Sequence, residues 1–269
     1  MANDKKRVHE NNLTLIRSLI TKHKRHDHIF AGVGMFIIIS LTITLLVLFL
    51  DLVFDGYPRF NLDFLTNFPS RRATAAGILS AWVGSALVLI VTFFAAVPLG
   101  IAAGVYLEEY AKKNWFSDLI EINVTNLAGV PSIIYGLLAL GLFVYSFGLG
   151  QTILTAGLTL ALLMLPIVIV ATREAIRAIP IHIREAAYAV GATKWQVSLH
   201  HVIQYSYGGI LTGVIIGMAR AIGETAPIIT IGALTFIAFL PPSPVGLEPP
   251  FINFEWLEAG FTVLPIQMF

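Results

Sequence analysis

The sequence of 269 residues contains no cysteine and few charged residues. Without cysteine, the chain can form no disulfide, no thiolate metal site and no cysteine nucleophile. Only 12% of the residues are charged and 57% are hydrophobic, whereas soluble domains carry a charged fraction of about 25%. Several apolar runs exceed the roughly 18 residues that cross a hydrocarbon core. The composition therefore excludes an ordinary soluble protein and predicts an all-α polytopic membrane protein.

Five membrane spans can be drawn from the apolar runs. Residues 1–28 are basic and polar, and the run after them is too long for the apolar core of a signal peptide and lacks a small-residue cleavage site. We therefore predict a cytoplasmic basic N-terminal segment over 1–28 and a first transmembrane helix over 29–54. The four later spans are predicted at about 77–107, 119–147, 152–171 and 208–240.

The lysines and arginines are distributed unevenly between the predicted loops. With the N-terminus inside, thirteen of the 17 fall in cytoplasmic segments, and Arg220 lies within the fifth span. The external ones are Arg59, Arg71 and Arg72. Because positive residues accumulate on the cytoplasmic side, this asymmetry predicts a cytoplasmic N-terminus.

A polar segment at about 173–207 separates the fourth and fifth spans. Within it, Glu185, Ala186 and Ala187 begin a helical patch of small residues that Gly191 interrupts. Small side chains let a second surface approach the backbone closely, and glycine permits a sharp turn after a helix. Two interpretations are open from the residues alone: a docking element for a partner, or a connecting loop with an interfacial helix.

The stretch "EAAYAVGATKWQ" in this segment resembles the EAA loop of ABC-transporter permease subunits, in which EAA is followed by three residues and a glycine. With "LAGVPSIIYG", "ARAIGETAPI" and "FTVLPIQ", it makes the chain similar to permease subunits of phosphate importers. Gln204 and Gly208 depart from the family, which usually has prolines there. The resemblance implies an ABC permease domain over 70–269 with the MetI-like bundle of type I ABC importers. That bundle has six helices, so we expect a sixth to be truncated from this sequence.

The same resemblance implies partners and a location. The expected partners are a second permease subunit, two ATPase subunits that dock on the 185–191 loop, an external phosphate-binding protein and the lipid of a bacterial inner membrane. No glycine-rich nucleotide-binding loop occurs in the sequence, so ATP hydrolysis is expected in the partner subunits. The chain itself is expected to be non-catalytic and to hold no metal or cofactor.

Two opposite charges, Arg220 and Glu224, lie inside the apolar fifth span. Their four-residue spacing puts them on one helical face, where they can pair. A helix beginning near Gly208 would place Arg220 about 18 Å along its axis, near the middle of the bilayer. Charges at that depth face the bundle interior or a polar path, and Pro227 favours a bend just after the pair.

Two interpretations of the pair are open. One is a structural ion pair that keeps two helices in register. The other is a substrate contact, in which the planar donors of Arg220 match a tetrahedral oxyanion, Glu224 holds the arginine and Thr225 adds a hydroxyl. The family resemblance favours phosphate import. The alternatives are a permease for another oxyanion such as molybdate or sulfate, a proton-coupled carrier that uses Glu224, and a membrane scaffold.

Overall fold

A computed structural model describes residues 2–72, 75–112, 114–245 and 251–268, with side chains at residue 24 and from residue 27 onward. The chain divides into two compact units, Met1–Asn61 and Leu62–Phe269. The described residues form helices and turns with no β-strand among them, which confirms the all-α prediction. The basic side chains predicted for the cytoplasmic side at positions 5–22, Arg25 and Lys113 lie outside the described residues.

The first unit is one long helix, α1 (Ala2–Gly56), followed by the short turn Tyr57–Arg59. Its segment Asp27–Arg59 is long and apolar enough to cross a membrane. The large apolar side chains between Ile29 and Phe54 are exposed along this helix. Such a surface suits a hydrocarbon environment rather than water.

The second unit is a helical bundle. Its described helices are α2 (Leu62–Thr66), α3 (Leu79–Val105), α4 (Trp115–Leu127), α5 (Ser132–Ala139), α6 (Ile153–Arg177), α7 (Ile181–Ala189), α8 (Lys194–Val197), α9 (Ile203–Gly223), α10 (Ala226–Ile231) and α11 (Leu264–Gln267). Single π-helical turns extend α3 over Tyr106–Tyr110 and α5 over Leu140–Ser146. A third π-helical turn joins α8 to α9, so Lys194–Gly223 forms one helix of 30 residues, which we call the long helix.

Four described helices are long and apolar enough to cross a membrane, namely Asp27–Arg59, Leu79–Tyr110, Ile153–Arg177 and Lys194–Gly223. The predicted third span differs from a single helix, because α4 and α5 are bent by 104° at the break between them. Pro131 explains the break, since proline disfavours a helical conformation in the residue before it. Counting this bent pair as one span gives the five that the sequence predicted.

The predicted fifth span is also interrupted, and this changes the position of Arg220. The helix α9 ends at Gly223, and α10 ends at Ile231, where it is capped by Gly232 with a left-handed φ of +94°. Pro227 has no N–H to donate to the Gly223 carbonyl, so the helix cannot continue through it. Arg220 therefore lies in the last turn of α9. The sequence had instead predicted one continuous span, with Arg220 near its middle.

The core of the second unit forms where α6 packs against α3 on one side and α9 on the other. Glycines allow these contacts to be close. A Cβ atom on Gly100 would lie 2.7 Å from the Val168 side chain, and one on Gly213 would overlap the Ala171 side chain. Small residues at helix crossings are the usual means of close packing in membranes. Gly213 thus serves helix packing rather than access for a ligand.

Candidate functional site

Arg220 and Glu224 form the ion pair that their spacing predicts. The Arg220 Nε donates to Glu224 Oε1 at 3.1 Å, with 42% of the arginine side chain and 15% of the glutamate side chain exposed. Among the described residues, the two terminal guanidinium nitrogens have no hydrogen-bond partner. Glu224 therefore binds the guanidinium at Nε, while the two terminal nitrogens stay available to another acceptor. Arg220 also lies in the last turn of α9, where the helix dipole favours a cation.

The backbone breaks between the two helices directly at this pair. Glu224 has an extended backbone conformation, with φ of −79° and ψ of 119°, and Thr225 is the N-cap residue of α10. The Thr225 carbonyl accepts hydrogen bonds from the N–H groups of Ile228 and Ile229 at 3.1 and 3.0 Å. Thr225 is partly exposed, and within the described part of the chain its hydroxyl has no hydrogen-bond partner. The three predicted site residues are thus adjacent, with the threonine hydroxyl available for bonding.

On the inner side of Glu224 there is little space. A cavity of about 10 Å³ is lined by residues including Ser85, Glu224, Val263 and Pro265. One water needs roughly 10–15 Å³ of such volume, so the cavity has room for no more than a single water. A tetrahedral oxyanion therefore does not fit in this cavity, whereas the exposed side of Arg220 leaves its guanidinium accessible.

The C-terminal "FTVLPIQ" stretch closes the inner side of the site. The N–H of Leu264 donates to Ser85 Oγ at 2.9 Å, and the amide of Gln267 donates to the Gly77 carbonyl at 3.0 Å. These two bonds attach the stretch to the start of α3. Sequence reasoning used the stretch only as a family motif and missed Ser85, because nothing local connects positions so distant in the chain.

Tyr135, which the sequence did not single out, lies on α5, the helix that packs against α10 just after the pair. Its hydroxyl donates to the Leu127 carbonyl at 2.7 Å across the bend between α4 and α5. The next residue, Gly136, packs so closely on α10 that a Cβ atom there would lie 2.7 Å from the Pro227 Cα. The "LAGVPSIIYG" motif that contains Tyr135 is the only sequence signal that could have pointed to it.

The EAA segment, which we define as residues 178–193, connects α6 to the long helix. Glu185 and Ala186 are exposed on α7, whereas Ala187 is buried with only 5% of its surface accessible. Ala187 packs in an apolar cluster with other described residues, namely Ile176, Ile179, Val197 and Val202. The structure thus divides the motif: the glutamate and one alanine face outward, and the second alanine attaches α7 to the bundle.

Gly191 makes the turn that follows α7. Its φ is +86°, and a Cβ atom there would meet no other atom within 4 Å. Conformation rather than lack of space therefore requires glycine at this position. After the turn, Thr193 and Gln196 form a capping box that starts the long helix. Glu185, Ala186 and Gly191 remain exposed together on this segment.

The long helix links the two candidate regions. From Lys194 to Arg220 the helix rises roughly 40 Å at about 1.5 Å per residue. The EAA segment and the Arg220–Glu224 pair are therefore separate regions that one continuous helix connects. Within the part of the chain that the structure describes, no group of three or more acidic or histidine side chains is arranged to hold a metal ion.

Residues 96–245 match the family described as the binding-protein-dependent transport system inner membrane component. This range covers the bent pair, the EAA segment and the Arg220–Glu224 pair. The chain belongs to this family. The membership confirms the prediction made from the EAA loop and its companion motifs, and with the apolar helices it makes the chain an integral inner-membrane protein.

Individual relatives share much of the chain. It is 32% identical over 239 residues to the probable ABC transporter permease protein YqgI of Bacillus subtilis, covering 88% of this chain and 76% of the relative. It is 40% identical over 195 residues to the phosphate transport system permease protein PstA of Mycobacterium leprae, covering 72% of this chain and 59% of the relative. It is 30% identical over 244 residues to PstA of Haemophilus influenzae, covering 89% and 84%.

Proposed function

We propose that this chain is a permease subunit of an ATP-driven importer of inorganic phosphate and forms half of its translocation pathway. Relatives that carry the phosphate transport system name support the substrate. The observation that carries the proposal is the Arg220–Glu224 pair, because its guanidinium is held on one edge and open on the other. A phosphate oxyanion would accept hydrogen bonds from the open edge, in the geometry that suits a planar guanidinium.

Glu224 limits how tightly the site binds. A lone buried guanidinium would hold an anion strongly, whereas one already paired with a carboxylate offers less net charge. A pathway must bind the ion well enough to admit it and weakly enough to release it. In the Arg220–Glu224 pair, the arginine attracts the anion, and the carboxylate bonded to its Nε at 3.1 Å weakens that attraction enough for release. Thr225 supplies a neutral hydroxyl beside it.

The second half of the pathway comes from a partner permease. The inner side of Glu224 is closed to anything larger than a water, while 42% of the Arg220 side chain is exposed. An exposed arginine is costly in lipid, so the open side of Arg220 must face protein or a polar path in the assembled transporter. A second permease subunit packed against this face would enclose the path and complete the oxyanion site.

The EAA segment is the docking element for the ATPase subunits. It exposes Glu185, Ala186 and Gly191, and the apolar side chains of Tyr188 and Val190 lie beside them with 45% and 85% of their surfaces accessible. Exposed apolar side chains of this kind mark protein contacts. The ATPase partners bind and hydrolyse ATP on the cytoplasmic side, with the N-terminus of this chain on that side. This chain itself has no catalytic role and needs no cofactor.

The test is uptake of labelled phosphate into vesicles that contain the chain with its ATPase and second permease subunits. We expect uptake that requires ATP and an external phosphate-binding protein and that survives a protonophore. Excess molybdate or sulfate should leave it unchanged. Uptake that collapses with the proton gradient would indicate a carrier that titrates Glu224. Competition by molybdate or sulfate would assign another oxyanion, and absence of any uptake would leave a scaffold.

A further inference from the structure

Six charged side chains from four elements meet at the end of the bundle next to the EAA segment. Glu108 and Glu109 belong to the π-helical turn that ends α3, and Glu121 belongs to α4. The matching arginines are Arg173 and Arg177 at the end of α6 and Arg184 on α7. Sequence reasoning counted these arginines only toward topology.

Arg184 has the most directional set of bonds in this group. It donates to Glu109 Oε1 from Nε at 3.1 Å and from Nη2 at 2.8 Å. It also donates to the carbonyl groups of Ile176 and Ile179 at 3.1 and 3.2 Å, at the end of α6. Only 19% of the Arg184 side chain and 7% of the Glu109 side chain are exposed. Both guanidinium nitrogens bond the same carboxylate oxygen, and hydrogen bonds between charged groups are stronger than those between neutral ones.

Glu108, the neighbour of Glu109, ties the same turn to α6. Its carboxylate accepts from Arg177 Nε at 3.0 Å and from Arg173 Nε at 3.4 Å. Arg173 in turn bonds Glu121 of α4 at 2.7 Å. Two consecutive carboxylates in one turn of backbone thus hold two different elements: Glu108 holds α6, and Glu109 holds α7.

The remaining described contacts of α7 with the bundle are of another kind. Ala187 packs in the apolar cluster with Ile176 and Val202. Apolar contacts are not directional and allow one surface to slide over another. The bonds from Arg184 do not allow this, because separating them would leave the buried Glu109 carboxylate without a partner. Displacement of α7 with these bonds intact would therefore move the end of α3 with it.

We propose that Arg184 and Glu109 are the positioning residues that transmit movement of α7 to α3, and that their bond stays formed through the transport cycle. The inference rests on the proposed function in one respect, since it takes α7 as the element that the ATPase subunits move. Its consequence is a second route of transmission. Movement reaches the Arg220 site along the long helix and also through α3, which carries Ser85 at the wall of the cavity beside Glu224.

The first experiment removes one charge at a time in the complete complex. Glu109→Gln and Arg184→Gln should keep the copurified ATPase subunits and their ATP hydrolysis, while phosphate taken up per ATP falls about twofold to thirtyfold, the range for residues in coupling networks. The matched control is Glu174→Gln, which removes an exposed carboxylate paired with Arg177 within α6 and joins no two elements. The control should leave the ratio unchanged.

The second experiment restores the link without the charges. The chain has no cysteine, so Glu109→Cys with Arg184→Cys creates the only two thiols in it. This variant should be uncoupled as made, and a short bifunctional maleimide that joins the thiols should return uptake to within about twofold of the parent, because the lost coupling is regained. Persistent uncoupling in the cross-linked protein would overturn the proposal.

A third readout separates this inference from the identity of the substrate. Ile222→Cys, in the chain otherwise free of cysteine, reports the labelling rate near the Arg220 site with and without ATP. We expect an ATP-dependent change that Glu109→Gln abolishes and Glu174→Gln preserves. This result would stand even if the parent transported no phosphate, in which case only the proposed substrate fails. A change that survives Glu109→Gln, or ATPase subunits lost in proportion to uptake, would overturn the inference.

Discussion

Two arginine–glutamate pairs of the same chemistry have opposite surroundings. Arg220 and Glu224 are four residues apart, and the arginine uses one nitrogen and leaves 42% of its side chain exposed. Arg184 and Glu109 are 75 residues apart, and the arginine bonds a carboxylate and two backbone carbonyls. The local pair keeps donors open for a ligand, whereas the remote pair uses its donors to join elements. Position in the fold, rather than residue type, separates a binding group from a structural one.

The largest loss of stability is expected on replacing Arg173, an arginine that joins elements of the bundle as Arg184 does. Only 7% of its side chain is exposed, and it bridges Glu108 and Glu121. Arg173→Gln leaves Glu108 and Glu121 with Arg177 as their remaining partner and should lower the free energy of unfolding by about 2–3 kcal/mol, the range for lost hydrogen bonds to charged groups. Unfolding of the purified chain in mixed micelles measures this. Arg177→Gln, at a side chain that is 42% exposed, should cost no more than about 1 kcal/mol. Equal losses would contradict the distinction.

Arg220 should behave in the opposite way. Arg220→Gln removes the open guanidinium and should reduce phosphate uptake about tenfold to a hundredfold, as expected for lost hydrogen bonds to a charged group. Its free energy of unfolding should change by less than about 1 kcal/mol, because the arginine is half exposed. Arg72→Gln, an exposed arginine elsewhere, is the control for uptake. Normal uptake by Arg220→Gln would remove Arg220 from the pathway.

Gly213 tests whether α9 packs tightly against α6, between the EAA segment and the Arg220–Glu224 pair. A Cβ atom at Gly213 overlaps the Ala171 side chain, while one at Gly208 on the same helix meets nothing within 4 Å. Gly213→Ala should therefore destabilise the chain by about 1–3 kcal/mol through overpacking. Gly208→Ala should be neutral or stabilise by up to about 1 kcal/mol, since alanine is the better helix former. Unfolding in mixed micelles gives both values, and the same sign for both would contradict the packing.

The smallest effect on transport is expected from substitutions at Gly191, in the turn after α7, which carries Arg184. Gly191 has a φ of +86° in open space, so only backbone conformation restricts the residue. Gly191→Val should disfavour the turn by about 1–2 kcal/mol, whereas asparagine tolerates the left-handed region better. Phosphate uptake per ATP should fall for Gly191→Val and stay near the parent for Gly191→Asn, with ATPase subunits copurifying in both cases. Equal behaviour of the two variants would show that the turn does not matter.

Local features of both regions could be predicted because neighbouring residues create them. The pairing of Arg220 with Glu224 needs only four-residue spacing, and the break after it needs only Pro227. The turn at Gly191 likewise follows from its place after α7. The bend between α4 and α5 was missed although Pro131 marks it, because the apolar run continues across it and length favoured a single span.

The sequence by itself determined the helical membrane class, the family and the local charge pair, since composition, motif spacing and helix periodicity act over a few residues. Only the tertiary structure decided which glutamate meets which arginine at the end of the bundle. It also decided that Ser85 lines the cavity beside Glu224 and that Tyr135 lies on the helix packed against α10. These contacts join positions far apart in the chain, and they form only after α3, α6 and the long helix have packed closely through their glycines.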